Sequence, residues 1–220
     1  MYRRELDGKV LSFGHAGILY ERSFVMYDRG TGSLWVHVTG KAEHGPLKGK
    51  RLTFFPSTTT TWAEWKAAHP NTLVLPGHRR GGFMGTYRGI RGDSDIGLVV
   101  VVRFKGRLFP FRDLRHQPLV NDRFNRAELL VYYSRDKRTA TAWNRRLDGR
   151  ALTFRETNQQ NARGHALLRD EQTGSLWSWL TGEAESGPLK GKKLGQLLYN
   201  PILNDRFFAH YPKGSLWKRE

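Results

Sequence analysis

The chain contains no cysteine. This excludes disulfide bonds, thiolate metal sites and thiol nucleophiles for this polypeptide, although it does not decide the compartment. Long hydrophobic runs are also missing, because the longest, residues 98–102, is far shorter than the roughly 20 apolar residues that a membrane helix needs. No apolar segment follows the basic pair Arg3-Arg4, so we recognise no secretory signal. We predict a cytoplasmic protein, or a secreted or periplasmic one if the true N-terminus lies upstream.

Runs of helix-forming residues are scarce, whereas glycine occurs 24 times in the 220 residues. Aromatic residues make up 12% of the chain, which is enough to build a hydrophobic core. This composition favours short strands joined by tight turns. We therefore predict an all-β fold with one or two short helices.

Acidic residues are few in relation to basic ones: 20 Asp and Glu face 37 Lys and Arg, giving a net charge of +17. A charge of this size attracts polyanions such as nucleic acid or an anionic surface. The basic residues are dispersed in pairs and do not form one tail or stripe. A surface adapted to the host environment would have the same composition, so both explanations stay open here.

The chain repeats itself. Three segments recur in the same order: 6–13 as 147–154, 28–52 as 170–194, and 65–70 as 207–212. The longest match has a constant offset of 142, with 17 of 25 positions identical. A match of this length indicates an internal duplication. We predict two β units related by approximate two-fold pseudo-symmetry.

Turn and helix signals locate several elements. Asp7-Gly8 and Asp148-Gly149 favour two-residue hairpin turns, since both central positions of such turns take positive φ. Lys105-Gly106 predicts another hairpin. Residues 61–69 are predicted to form a short helix that a threonine caps and that His69-Pro70 ends, because a residue before proline is pushed out of the helical region.

These signals divide the chain into three parts. We predict a first β unit over residues 1–75, a linker rich in glycine and arginine over residues 76–95, and a second β unit with its preceding hairpin over residues 96–220.

Ordered motifs link the chain to a known family. In the first unit they are Asp28-x-x-Thr31-Gly32-Ser33-Leu34-Trp35, Gly45-Pro46-Leu47-x-Gly49 and Thr61-Trp62-x-x-Trp65-x-x-x-His69-Pro70, and residues 120–122, 146–149 and 188–191 follow in the second. The set resembles the domain of unknown function 3179 (DUF3179) family and covers nearly the whole chain. The resemblance implies no particular activity, because that family has no established one.

The chain departs from the family pattern at its start. The resemblance implies a Cys-Pro-Leu-Cys-like strand before the first Arg-x-x-Asp-Gly turn, but Met1 falls where Ala142 lies in the second copy. Nothing in the first copy corresponds to residues 129–141. Either the chain begins inside its domain or the protein has lost this strand, with any thiol chemistry. We predict an open edge in the first unit, covered by another segment, a partner chain or a second copy in a homodimer.

One candidate site is a cluster that both copies contain, formed by Asp28, Ser33 and Trp35 and again by Asp170, Ser175 and Trp177. Such a cluster could bind a sugar, whose face stacks on indole and whose hydroxyls bond to a carboxylate. Alternatively, the polar residues close a hairpin loop while the tryptophan fills the core. Because the motif occurs in both copies, we favour a structural role and predict that both tryptophans are buried in equivalent positions.

A second candidate site lies on the predicted helix, where Trp62, Trp65 and His69 have no identical counterparts in the second copy. Together with Trp35 they could line a pocket for a small molecule or carbohydrate, or stack nucleic-acid bases. Tryptophans of a small β protein are more often core residues. We interpret Glu64 as lying on a solvated helix face, with a general base as the alternative.

The sequence contains no histidine pair with metal-site spacing, no Gly-x-Ser-x-Gly elbow and no phosphate-binding loop. We predict no catalytic residue, metal or cofactor. The favoured hypothesis is a non-enzymatic binding or assembly module that contacts an anionic partner or a larger complex through its basic surface. The alternatives are a small-molecule or carbohydrate-binding protein and a hydrolase of unknown type.

Overall fold

The computed structural model describes residues 1–74 and 95–219, and strands dominate both ranges. The all-β prediction is confirmed. The linker predicted over residues 76–95 lies outside the described residues, apart from Asp95. The predicted unit boundaries stay a prediction. Among residues 1–74 and 95–219, none of the helices could span a lipid bilayer.

The N-terminal part forms a small hairpin, a four-stranded sheet and one helix. The elements are β1 (Glu5–Leu6), β2 (Lys9–Val10), β3 (Phe13–Tyr20), β4 (Ser23–Asp28), β5 (Leu34–Val36), β6 (Lys41–His44) and α1 (Trp62–Ala68). Asp7 and Gly8 connect β1 to β2 with φ values of 50° and 75°, as the hairpin prediction required. Strands β3 to β6 pair in sequence order, all antiparallel. We call residues 1–55 the first lobe.

The remaining chain supplies fourteen further strands in the described residues. They and the helices are β7 (Ile96–Val102), β8 (Lys105–Pro110), α2 (Phe111–Leu114), β9 (Leu119–Phe124), β10 (Ala127–Ser134), β11 (Thr139–Asn144), β12 (Arg146–Leu147), β13 (Arg150–Ala151), β14 (Phe154–Gln160), β15 (Ala166–Asp170), β16 (Leu176–Ser178), β17 (Ala184–Ser186), β18 (Gly195–Gln196), β19 (Leu198–Leu203), a 3₁₀ turn (Asn204–Arg206), α3 (Phe207–His210) and β20 (Ser215–Leu216). Strands β14 to β17 form one sheet, and β18, β11, β10 and β9 form another in that order. We call residues 119–196 the second lobe.

A central sheet, in the order β19-β7-β8-β20, lies between the two lobes. One of its faces carries Val99 and Leu108, which pack with Val36 and Val38 of the first lobe. The opposite face packs against β10 and β11 of the second lobe. Because neighbouring residues of a strand point to opposite sides, β7 is apolar on both faces, which explains the continuous run over residues 98–102.

The turn between β7 and β8 corrects one expectation. Val102 pairs with Lys105, so the turn residues are Arg103 and Phe104, with φ values of 49° and 64°, and not Lys105-Gly106. Gly106 is required for a different reason. A Cβ at this position would lie 2.8 Å from a ring carbon of Tyr211. The glycine therefore permits close packing and does not form the turn.

The segments that follow the two lobes reach across to the opposite lobe. We call residues 56–69 the first arm and residues 198–211 the second arm. The first arm contacts the second lobe, where the Thr139 hydroxyl donates to the Thr59 carbonyl oxygen (2.7 Å). The second arm contacts the first lobe, where the Tyr211 hydroxyl donates to the Val38 carbonyl oxygen (3.2 Å). Each lobe is thus covered by the arm that belongs to the other copy.

Equivalent contacts recur in the two lobes. Tyr2 bridges to Phe54, and its hydroxyl donates to the His37 carbonyl oxygen (2.6 Å). In the second lobe, Trp143 takes the place of Tyr2: it pairs with Gln196, and its indole nitrogen donates to the Trp179 carbonyl oxygen (2.9 Å). Leu130 and Tyr132 of strand β10 help to cover the second lobe. Apolar residues of the first lobe, Val36 and Val38, are covered by the central sheet and the second arm. This packing covers a face of the sheet, so the cover expected for the open edge of the first unit stays a prediction.

Candidate functional site

The cluster around Asp28 is a buried structural unit. Asp28, Ser33 and Trp35 are each 0% exposed. The Asp28 carboxylate accepts from the Thr31 backbone N–H (2.6 Å), the Thr31 hydroxyl (2.8 Å) and the Trp35 indole N–H (3.0 Å). Burial alone would raise the pKa of Asp28, but these hydrogen bonds outweigh it and hold the pKa below its ordinary value.

The second copy repeats this arrangement. Asp170 accepts from the Thr173 backbone N–H (2.7 Å) and the Trp177 indole N–H (2.9 Å). Trp177 is 1% exposed, so the prediction that Trp35 and Trp177 are both buried is confirmed. In neither copy is the carboxylate or the indole available to a ligand from solvent.

Helix α1 begins and ends where the sequence predicted. The Thr61 hydroxyl accepts from the Glu64 backbone N–H (3.3 Å), and His69 follows the last helical residue. The interpretation of Glu64 as a solvated residue was wrong, since Glu64 is only 6% exposed and accepts from the Thr60 hydroxyl (2.8 Å). The expectation that Trp62 is a core residue was also wrong, because its side chain is 53% exposed.

The four aromatic residues expected to form one pocket lie in different places. Trp35 belongs to the core of the first lobe, together with Ala42 and Leu52. Trp65 and His69 instead line a cavity of about 170 Å³ against the second lobe. We call it the Trp65 cavity. Trp62 is not among its lining residues. The expected pocket within the first unit is therefore not formed by these four residues. Trp65 and His69 instead line a cavity between the first arm and the second lobe.

A larger cavity, of about 340 Å³, occupies the corresponding position on the first lobe. Its lining includes Thr39, Arg51, Phe54, Val101, Arg103, Phe104, Leu198 and Tyr211. We call it the Phe104 cavity. At the offset of 142, its Thr39 and Arg51 correspond to Thr181 and Lys193 of the Trp65 cavity. The two cavities are thus matched sites on the two lobes, with different side chains.

Basic and aromatic groups meet at the Phe104 cavity. The Arg51 guanidinium lies 5.7 Å from the centre of the Phe104 ring and donates to the Thr39 carbonyl oxygen (3.3 Å). Phe104 is 76% exposed, although it is a large apolar side chain. Within the described ranges, neither Arg51 nor Arg103 forms an ion pair with an acidic side chain. The cavity therefore combines an apolar wall with positive charge that its own neighbours leave uncompensated.

The tyrosine in this cavity does not supply a negative charge. Burial raises the pKa of Tyr211 to about 12, against the opposing influence of the Arg51 charge. Burial likewise raises the pKa of Tyr2, which lies near Tyr211 and Arg51. Both hydroxyls are therefore neutral at physiological pH, and the charge of Arg51 stays available to a ligand.

A family model described as a protein of unknown function (DUF3179) matches residues 1–90 and again residues 88–220. The chain belongs to the DUF3179 family. The two matches agree with the two copies found in the sequence. No curated protein and no solved structure matches the chain.

Another cavity of about 340 Å³ in this DUF3179 protein is lined by charged residues that form ion pairs with acidic side chains of the protein itself. Arg22 lies 3.5 Å from Asp205, and Arg206 lies 3.2 Å from Glu21. Burial lowers the pKa of His210, so its ring is neutral near pH 7. These pairs leave less net charge for a ligand than the Phe104 cavity does. In the described part of the chain, no group of three or more potential metal-ligating side chains comes together.

Sequence reasoning missed the residues that distinguish the Phe104 cavity of this DUF3179 protein from the Trp65 cavity. Arg103 and Phe104 received no role in the sequence analysis, because the hairpin turn was assigned to the neighbouring Lys105-Gly106. It also missed His165, which is 3% exposed, whose Nε2 atom has no hydrogen-bond partner and whose pKa burial lowers despite the nearby Glu64. Neither the Phe104 cavity nor the buried His165 could be predicted without knowing how the central sheet and the two arms pack against the lobes.

Proposed function

We propose that this protein is a non-enzymatic binding module whose Phe104 cavity holds an anionic ligand with an apolar portion. The observation that supports it most directly is the presence of Arg51 and Arg103 at an apolar cavity, where neither has an acidic partner among residues 1–74 and 95–219. An arginine guanidinium binds carboxylate, sulfonate or phosphate oxygens through paired N–H donors. The net charge of +17 would also speed the approach of an anion.

The apolar portion of the ligand would lie against Val101, Leu198 and the rings of Phe54 and Phe104. Small-molecule sites typically combine such apolar walls with a few directed polar groups. The volume of about 340 Å³ lies at the lower end of the range for such sites and suits a medium-length chain or a small aromatic system. This composition favours an amphipathic acid over a fully polar polyanion.

The backbone at Phe104 is consistent with a functional role. For residues other than glycine, the left-handed conformation costs roughly 1–2 kcal/mol, yet Arg103 and Phe104 both adopt it. Strained backbone of this kind is frequently retained at binding sites. The turn presents an exposed aromatic ring beside Arg51 that an ordinary Asn-Gly turn would lack.

Competition for the fluorescent anion 8-anilinonaphthalene-1-sulfonate tests this function. Dodecanoate should displace the probe, whereas dodecyltrimethylammonium, with the same chain length and the opposite charge, should not. Replacing Arg51 (R51Q) should weaken binding about tenfold, which corresponds to the loss of about 1.4 kcal/mol from one charge-assisted contact. Replacing the matched residue of the second lobe (K193Q) should leave displacement by dodecanoate unchanged.

The salt dependence of binding distinguishes this proposal from a nucleic-acid interface. A ligand with a single anionic group should show a shallow dependence, whereas a nucleic acid should show a slope that grows with the number of phosphates contacted. Equal displacement by the two detergents, or equal losses in R51Q and K193Q, would contradict binding of an anion at this cavity.

A further inference from the structure

We propose that the Trp65 cavity is a second binding site, which accepts a single sugar ring bearing a carboxylate. Its lining combines Trp65 and His69 of the first arm with Trp143, Thr181, Lys193 and Gln196 of the second lobe. The site is distinct from the Phe104 cavity, so this inference does not depend on the function proposed above.

Trp65 contributes a partly exposed side chain to the cavity. The indole N–H is already used, since it donates to the Thr72 hydroxyl (2.9 Å). The His69 ring lies 4.1 Å from the Trp65 ring, centre to centre, and the two planes meet at 39°. Trp65 keeps 37% of its surface exposed, so part of the ring remains free to contact the apolar face of a sugar.

The polar groups of the cavity are suited to a ligand that carries hydroxyl groups and one negative charge. The Gln196 amide nitrogen donates to the Thr58 hydroxyl oxygen (3.0 Å), which fixes the amide and leaves its carbonyl oxygen as an acceptor. Lys193 forms no ion pair with any acidic residue among those described. No carboxylate is among the lining residues. A ligand that carries its own carboxylate would therefore complete the site.

The size of the cavity limits the ligand. About 170 Å³ is half the volume of the Phe104 cavity and suits one ring better than an extended chain. Because its walls come from the first arm and the second lobe, a bound ligand would hold these two parts together. Binding should consequently raise the unfolding temperature of the whole chain.

Titration calorimetry with sodium D-glucuronate, with D-glucose as the neutral comparison, tests the site. We expect glucuronate to bind and glucose to bind at least about tenfold more weakly, as loss of one charge-assisted contact predicts. W65A should weaken glucuronate binding about tenfold, whereas W62A, which removes an exposed tryptophan of the same helix outside the cavity, should leave it unchanged. K193Q should reduce the preference for glucuronate over glucose, and R51Q should not.

Three results would overturn this site. They are a lack of glucuronate binding at millimolar concentration to the intact protein, equal binding of glucose and glucuronate, and equal losses in W65A and W62A. Both tryptophans are partly exposed, so the two variants should fold, and circular dichroism checks this. Failure of dodecanoate binding together with retained glucuronate binding would reject the function proposed for the Phe104 cavity and leave the present inference intact.

Discussion

Replacing Asp28 with asparagine tests whether the repeated carboxylate stabilises the fold or serves a ligand. The carboxylate uses one oxygen for the Thr31 backbone N–H and the other for the Trp35 indole N–H. An asparagine offers a single acceptor oxygen, so in either amide orientation one of these N–H donors faces an NH₂ group. The substitution preserves the size of the side chain and removes one acceptor and the negative charge.

The expected cost of D28N follows from these contacts. A buried donor without an acceptor costs about 1–3 kcal/mol, and a hydrogen bond to a charged group contributes about 1.5–3 kcal/mol. We expect a loss of about 3 kcal/mol, a large part of the roughly 5–15 kcal/mol that stabilises most proteins. For a chain of this length, the midpoint of thermal unfolding should fall by about 6–12 °C.

Denaturant unfolding at neutral and acidic pH measures this loss. Since the folded-state pKa of Asp28 lies below its ordinary value, the carboxylate contributes fully above about pH 4, and its contribution is lost as the pH falls through the folded-state pKa. The stability gap between the wild type and D28N should therefore narrow in acid.

D170N is the matched variant, because Asp170 makes the equivalent contacts in the second lobe. It should cost a similar amount at neutral pH. A loss below about 1 kcal/mol in both variants would refute the structural interpretation. So would a D28N protein of normal stability that no longer binds the ligands tested above.

Three further outcomes are expected. Replacing Phe104 with glycine should stabilise the fold by about 1 kcal/mol, because it relieves the left-handed backbone, and should weaken dodecanoate binding; unchanged stability and binding would contradict both arguments. G106A should destabilise the protein by about 1–3 kcal/mol in denaturant unfolding, since the added methyl group meets Tyr211 and Val99, whereas a neutral result would show that the packing can relax. Burial raises the pKa of Tyr211 to about 12, so its contribution to the free energy of unfolding is complete below about pH 10 and is lost as the pH rises through about 12. Raising the pH from about 9 to about 11 should therefore reduce the stability of Y211F less than that of the wild type. Equal losses in the two proteins would show that Tyr211 is not the group responsible.

Local sequence signals were sufficient to predict a feature where the residues that form it lie within a few positions of one another. The Asp7-Gly8 turn and the cap and end of helix α1 depend on nearby backbone geometry, and all were predicted. The burial of Trp35 followed from the occurrence of the same cluster in both copies.

Sequence signals failed where distant parts of the chain determine the environment of a residue. Glu64 lies on a short helix that looks amphipathic and solvated, yet it is only 6% exposed and lies near His165 of the second lobe. Gly106 looks like a turn residue, although the ring of Tyr211, from the second arm, is what excludes a side chain there. The Trp65 cavity joins residues more than 120 positions apart, such as Trp65 and Lys193, so neither copy considered alone predicts it.

The crossing of the arms has a consequence for the history of the gene. Each of the two copies supplies a structural part to the other: the Tyr211 hydroxyl donates to the Val38 carbonyl oxygen, and the Thr139 hydroxyl donates to the Thr59 carbonyl oxygen. Deleting either copy would expose hydrophobic surface on the survivor, such as Val36 and Val38, which pack on residues beyond position 95. Descendants of such a gene would keep both copies even if only one of the two cavities were under selection for its ligand. The other cavity would then be free to change its side chains and acquire a different specificity.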